Sequence, residues 1–323
     1  MAGRRLKVKQ DVDFTLKELT EEFLDEKKAG GRSEKTLTSY SDSFKKFFDY
    51  FGEDKTTKDL NKGMIIQYQK HLEKTEELSL ASINHYLRDL RTFVNWCYEN
   101  NRLPEKVPVK LVKGQEEIVE TYTDEELERL LEKPDRKASF VEWRTWAIVN
   151  WILGTGNRIE TIVNIKIGDV HFGQDEILIR AQKNKKATAI PLAKSLKAAL
   201  LLYIKKCRST AGDNDWLFCN IEGEQLTTNA LQSSLYDYNR SREVLRTSAH
   251  ALRHTFAKLF ITNGGDVFRL QKILGHSTLE MTRHYVNLFD ADLKKGYDDL
   301  VPLKNFSKGS GGKQHKVKVE KDN

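Results

Sequence analysis

Sulfur is scarce in this chain: its 323 residues include three cysteines, Cys97, Cys207 and Cys219, scattered and without a C-x-x-C pair. That excludes a disulfide framework and a cysteine-rich zinc site, and it points to a reducing compartment. No apolar run reaches the ~18 residues that a membrane-spanning helix needs, so no span is expected. The amino-terminal stretch "MAGRRLKVKQ" has basic residues but no apolar segment behind them, so it is not read as a secretory signal. Internal repeats are absent, and so is a carboxylate cluster suited to a two-metal clamp.

What is present is the balance of a soluble protein, 39% hydrophobic and 31% charged, in a chain long enough for two cores. The formal charge of +7 suggests an anionic partner, but it is unevenly placed. Residues 1–10 and residues 304–323 each contribute about four positive charges, so the body between them is close to neutral. Any anion-binding surface on the body must therefore be local.

The first hundred residues carry helical periodicity. "TLKELTEEFLDEKKAGG" predicts a helix starting near Thr15 and stopping at Gly30 and Gly31. Leu37, Tyr40, Phe44, Phe47, Phe48 and Phe51 form the stripe of a second helix ending at Gly52. "NKGMIIQYQKHLEK" predicts a third, and Leu80, Ile83, Leu87, Leu90, Val94 and Cys97 mark a fourth. Four helices with short connections imply a bundle.

Residues 103–117 lose this period and gain prolines and charges, which suggests a linker. A second domain then opens at Thr123, whose capping box with Glu126 starts a helix. "WRTWAIVNWILGTGNRIETIVNI" reads as an apolar helix broken at Gly154 and Gly156. "DEILIRA" and "ATAIPL" alternate around "QKNKK" as a hairpin, and "DWLFCN" suggests a third strand. Helices return from Thr227 to about Leu300, with a second capping box at Ser277 and Glu280, before a polar tail.

Several polar residues interrupt these apolar patterns. "SAHALRHTFAKLF" places His250, Arg253 and His254 on one helical face among Leu252, Phe256, Leu259 and Phe260. Zinc ligation by the two histidines is disfavoured, because Ala251 stands where zinc proteases carry glutamate. Arg158 follows a glycine-marked break in an apolar helix, where an unpaired guanidinium is costly and expects a partner. Lys183 lies in the hairpin turn, His276 in the turn after Gly275, and Tyr285 shortly beyond. Taken singly, each has an ordinary structural explanation.

In the order Arg158, Lys183, His250, Arg253, His276, Tyr285, the set closely resembles the tyrosine recombinase (phage integrase) family. The segment "HALRHTFAKLFITNGGDVFRLQKILGHSTLEMTRHY" is similar to the family's carboxy-terminal motif almost throughout. The resemblance implies a mainly α fold with a small antiparallel β-sheet: a helical core-binding domain and a mixed α+β catalytic domain. The expected organisation is a basic extension (1–12), a core-binding domain (13–102), a linker (103–117), a catalytic domain (118–303) and a basic flexible tail (304–323). With about a dozen residues ahead of the first helix, no separate arm-binding domain is expected.

The resemblance also implies roles. Arg158 and Arg253 form an arginine pair, Lys183 is the hairpin lysine, His250 and His276 occupy the two histidine positions, and Tyr285 is the nucleophile. Lys185 and Lys186 share the turn with Lys183, and Thr161 stands where the family often has an acidic residue after the first arginine. The implied activity is site-specific recombination through a 3′-phosphotyrosyl intermediate, without metal, cofactor or ATP. The implied partners are duplex DNA with an inverted-repeat site and three further copies of the chain, which exchange carboxy-terminal segments. No membrane partner is expected, and the location is cytoplasmic, in bacterial, archaeal or phage-infected cells. Lys45, Lys46, Arg88, Arg91, Lys185, Lys186, Arg240 and Arg242 are candidate phosphate contacts. Type IB topoisomerase chemistry and a non-catalytic DNA-binding protein are the alternatives.

Overall fold

The computed structural model describes residues 14–75, 77–114, 120–180 and 187–276, with Thr278 and Thr282. The chain divides into two compact units, residues 1–117 and 118–323.

In the first unit four helices start where a side chain satisfies the free amide groups of the first turn. These are α1 (Leu16–Ala29), α2 (Glu34–Phe51), α3 (Lys62–Lys74) and α4 (Leu80–Glu99). Thr15 caps α1 in a capping box with Glu18, and Ser33, Asn61 and Ser79 cap the others. Each helix turns its stripe inward. Phe23 sits at the centre, fully buried, with Tyr40, Phe44, Phe93 and Trp96 edge-on at 5.1–5.8 Å. Such pairs add about 0.5–1.5 kcal/mol each beyond the area they bury.

Residues 103–114, read from sequence as linker, are not loose. Leu103, Val107 and Val109 are buried in this core, and Asn84 holds both the amide and the carbonyl of Val112. Prolines and charges suppress helical period there, yet the alternate residues Val107, Val109 and Leu111 are apolar and pack on the bundle.

The second unit is built around α6 (Phe140–Thr155), which is mostly apolar and buried along most of its length from Trp143 to Thr155. Around it lie α5 (Asp124–Leu131), α8 (Lys194–Cys207), α9 (Thr228–Ser241) and α10 (Ala249–Thr262). A short α7 (Ile159–Ile162) follows α6, and α11 (Val267–Leu274) follows α10. The sheet is antiparallel in the order β1 (Val170–His171), β2 (Glu176–Ile179), β3 (Thr188–Pro191). Ile177 pairs with Val170 on one side and Ile190 on the other, and all three face the core.

Two expectations change here. The third strand is Val170–His171, because Trp216 and Cys219 form only isolated bridges, to Lys166 and Gln225. Gly154 stays inside α6, and the helix breaks at Gly156 alone. The capping box expected at Ser277 and Glu280 lies outside the described residues. No described helix is long and apolar enough to cross a membrane.

Candidate functional site

Two helix ends and one helical side chain of the second unit converge. The first follows α6. Gly156 ends that helix in the left-handed conformation, φ 62°, and its N–H closes on the Ile152 carbonyl. Asn157 is then buried, accepting a hydrogen bond from Trp151 Nε1 at 3.0 Å, and its own amide donates to Thr155 Oγ1. These bonds fix the exit of the chain, so Arg158 emerges extended as the residue before α7. The break is the reason an arginine can leave an apolar helix without entering its core.

The second contribution is Arg253, 5% exposed on α10. Nη1 donates to the Gly156 carbonyl, and Nη2 donates to the Leu274 carbonyl at 3.1 Å. The third is the end of α11, where Gly275 is also left-handed, φ 63°, and turns the chain so that His276 N reaches the Gln271 carbonyl. The His276 ring then meets Arg253, with Nε2 at 2.8 Å from Nη2. Arg158 Nη1 reaches the same Leu274 carbonyl at 3.4 Å.

Thus Arg158 and Arg253, 95 positions apart in the chain, meet at one helix-terminal oxygen, and His276 joins them through Arg253. A helix C-terminus carries partial negative charge, which favours cations there. Two cations at one oxygen still repel: unit charges roughly 6 Å apart do so by about 3 kcal/mol at an effective dielectric of about 20. An anion between them would reverse that sign.

His276 responds to this field. Burial, then the charges of Arg253 and Arg158 and the nearby His254, hold its ring far below the usual 6.5, at about 4. The folded ring is neutral where the unfolded one is charged. The shift therefore has no effect on stability well above pH 6.5 and costs stability as pH falls from 6.5 towards 4.

His250 is placed differently. It is exposed in the first turn of α10 and lines a pocket with Gln232, Ser233, Tyr236 and Ser248. Among the described residues no hydrogen bond joins it to Arg158, Arg253 or His276. α10 itself is anchored from the start of the unit: Tyr122 N donates to Thr255 Oγ1, and Tyr122 Oη donates to the carbonyls of Arg246 and Ser248. Lys183, Lys185, Lys186 and Tyr285 lie outside the described residues. The strands that bracket Lys183 are set by the Ile179–Thr188 pair and by the Arg180–Asp169 ion pair at 2.6 Å, Asp169 being fully buried.

Of the candidate phosphate contacts, Lys45, Arg88, Arg91 and Arg240 are exposed. Arg242 is not available. Its guanidinium bonds the Arg129 carbonyl and Glu142, reaches Glu132 at 3.9 Å, and stacks on Tyr238. Its position near a helix end and beside acidic residues explains the misreading, since only the fold brings those carboxylates within reach. Sequence reasoning also passed over Thr282 and the main-chain carbonyls of Gly156 and Leu274, which no side-chain motif advertises.

Gly156 carries a separate expectation. A Cβ there would overlap the Phe256 ring and the Leu274 side chain in a backbone conformation that L-residues resist. Gly156→Ala should lower stability by about 2 kcal/mol or more, read by urea denaturation. It should also displace an acceptor of Arg253.

Comparison with known proteins places these observations. Residues 120–292 match the model of the phage integrase family, and residues 11–111 match the phage integrase SAM-like domain. Among curated relatives, the tyrosine recombinase XerC of Pediococcus pentosaceus is 28% identical over 291 residues, covering 84% of this chain and 93% of its own. Among solved structures, the Tn1549 transposon integrase in complex with transposon right end DNA aligns with a TM-score of 0.71 at 18% identity, over 87% of this chain and 99% of that one. A lambda integrase tetramer bound to a Holliday junction aligns at 0.67 and 17%, over 85% and 78%.

Proposed function

This chain belongs to the phage integrase family and is a site-specific DNA recombinase, and we propose that Tyr285 attacks a DNA phosphate held by Arg158 and Arg253. The observation that supports this reading is the convergence of both guanidiniums on the Leu274 carbonyl, with His276 against Arg253. A phosphodiester bears one negative charge, and attack by oxygen concentrates further charge on its non-bridging oxygens. Fixed donors aimed at that charge lower the barrier without reorganising. Arginine suits this because it stays protonated and presents paired N–H groups.

The step balances as follows. The Tyr285 phenol oxygen bonds to phosphorus, and the bond from phosphorus to the 5′ oxygen breaks. The phenol, with an ordinary pKa of about 10, gives up its proton, for which His250 is the candidate base or orienting group. Lys183 donates a proton to the departing 5′ oxygen. The product is a 3′-phosphotyrosyl link and a free 5′-hydroxyl. Bond types are conserved, so a 5′-hydroxyl from a second strand can reverse the step without ATP.

The working assembly in this reading is a homotetramer on two duplex sites with inverted repeats, with residues after Tyr285 exchanged between neighbours, acting in the cytoplasm. The tetrameric state of the similar lambda integrase supports it. The two domains supply the DNA grip, chiefly through phosphate contacts such as Lys45, Arg88, Arg91 and Arg240.

The test is covalent capture on nicked suicide DNA carrying the recombination site, followed by peptide mapping of the adduct. One adduct, on Tyr285, is expected, and EDTA should leave its yield unchanged. Complete loss in EDTA would sink the metal-independent mechanism. Relaxation of any supercoiled plasmid without a matching site would favour topoisomerase chemistry instead.

A further inference from the structure

His276 is held from both sides. Its Nε2 lies 2.8 Å from Arg253 Nη2, and its Nδ1 lies 2.8 Å from Thr282 Oγ1. A guanidinium has only donors, so Nε2 must accept. The ring's one proton, in the neutral form, is then on Nδ1 and is donated to the Thr282 hydroxyl. The opposite tautomer would set an N–H against the N–H of Arg253, whereas the fully buried Thr282 hydroxyl can accept from Nδ1 as readily as it could donate to it. The depressed ring pKa agrees, since a neutral imidazole is what an accepting Nε2 requires.

Thr282 is three residues before Tyr285 in the chain. We propose that Thr282 is a positioning residue: its hydroxyl accepts the Nδ1 proton of the tautomer that Arg253 imposes on His276, which holds the ring against Arg253 and ties the polypeptide that carries the nucleophile to the arginine cluster. The inference rests on the reading above for its consequence in cleavage, but the tautomer stands apart from that reading. The hydroxyl does its work without contacting the phosphate. Second-layer hydrogen bonds of this kind fix imidazoles in other active sites, where the partner decides which nitrogen is free.

The experiment uses the full-length protein with 15N-labelled histidine, the His276 signals being assigned by their loss in His276→Gln. In the free wild-type protein the two-bond proton–nitrogen pattern should report a proton on Nδ1 of His276. A proton on Nε2, or an averaged pair, overturns the proposal without any variant of Thr282. Thr282→Val keeps the shape and removes the hydroxyl. It should shift the Nδ1–H signal of His276, whose acceptor is gone, and slow adduct formation by about tenfold or more, with DNA affinity unchanged. Thr282→Ser should restore both. Retention of the wild-type Nδ1–H signal and rate in Thr282→Val, or equal impairment in Thr282→Ser, overturns the proposal; if Thr282→Val fails to melt cooperatively, the serine variant and the wild-type spectrum decide it. If an adduct instead persists in Tyr285→Phe, the nucleophile assignment falls while the tautomer result is untouched.

Discussion

Arg253→Ala is expected to reduce adduct formation on nicked DNA by at least about 10³-fold, the scale on which an arginine at a transferring phosphoryl group acts. The side chain joins three segments: Gly156 after α6, Leu274 at the end of α11, and His276 in the turn beyond. Removing it takes away a charge donor and also leaves buried acceptors without their donor. Arg253→Lys separates the two effects. It restores the charge but cannot fork between two carbonyls and an imidazole, so most of the loss in rate should remain. DNA affinity should fall by less than about tenfold in either variant, because duplex binding is spread over many phosphates. A lysine variant with near wild-type cleavage would show that only charge matters here and would remove the argument from geometry.

Tyr285→Phe should eliminate the covalent adduct altogether while DNA binding persists, because the ring is kept and only the nucleophilic oxygen is lost. The competing phenols can be weighed on physical grounds. Burial pushes Tyr68, Tyr122, Tyr203 and Tyr238 well above the ordinary tyrosine range, which makes their phenolates hard to form. Tyr236 is exposed and shares a pocket with His250, so Tyr236→Phe is the necessary control. It should form the adduct at close to the wild-type rate. An adduct that survives in Tyr285→Phe and disappears in Tyr236→Phe would move the nucleophile to α9.

Much of the helical architecture is legible in the linear chain because it depends on local physics. The Thr15–Glu18 and Thr123–Glu126 boxes are complete within four residues, and the stripe of α4 needs only period 3.6. The strongly apolar run of α6 announces a central helix for the same reason. The small sheet was harder: its hairpin has a turn to mark it, but a two-residue strand such as Val170–His171 exists only because β2 lies beside it.

At the candidate site the side-chain types, and their order, could be read directly, since arginine, histidine and tyrosine carry their chemistry wherever they stand. Their relationships could not. That Arg158 and Arg253 meet at the Leu274 carbonyl, and that Arg242 is held by Glu142 while Arg240 stays exposed, depend on contacts between residues distant in the chain, and the contact of Thr282 with His276, six residues back, follows no helical or strand spacing. Residue chemistry and helix starts are set by neighbours a few positions away, whereas charge pairing and tautomer choice are set by whatever packing brings within 3 Å.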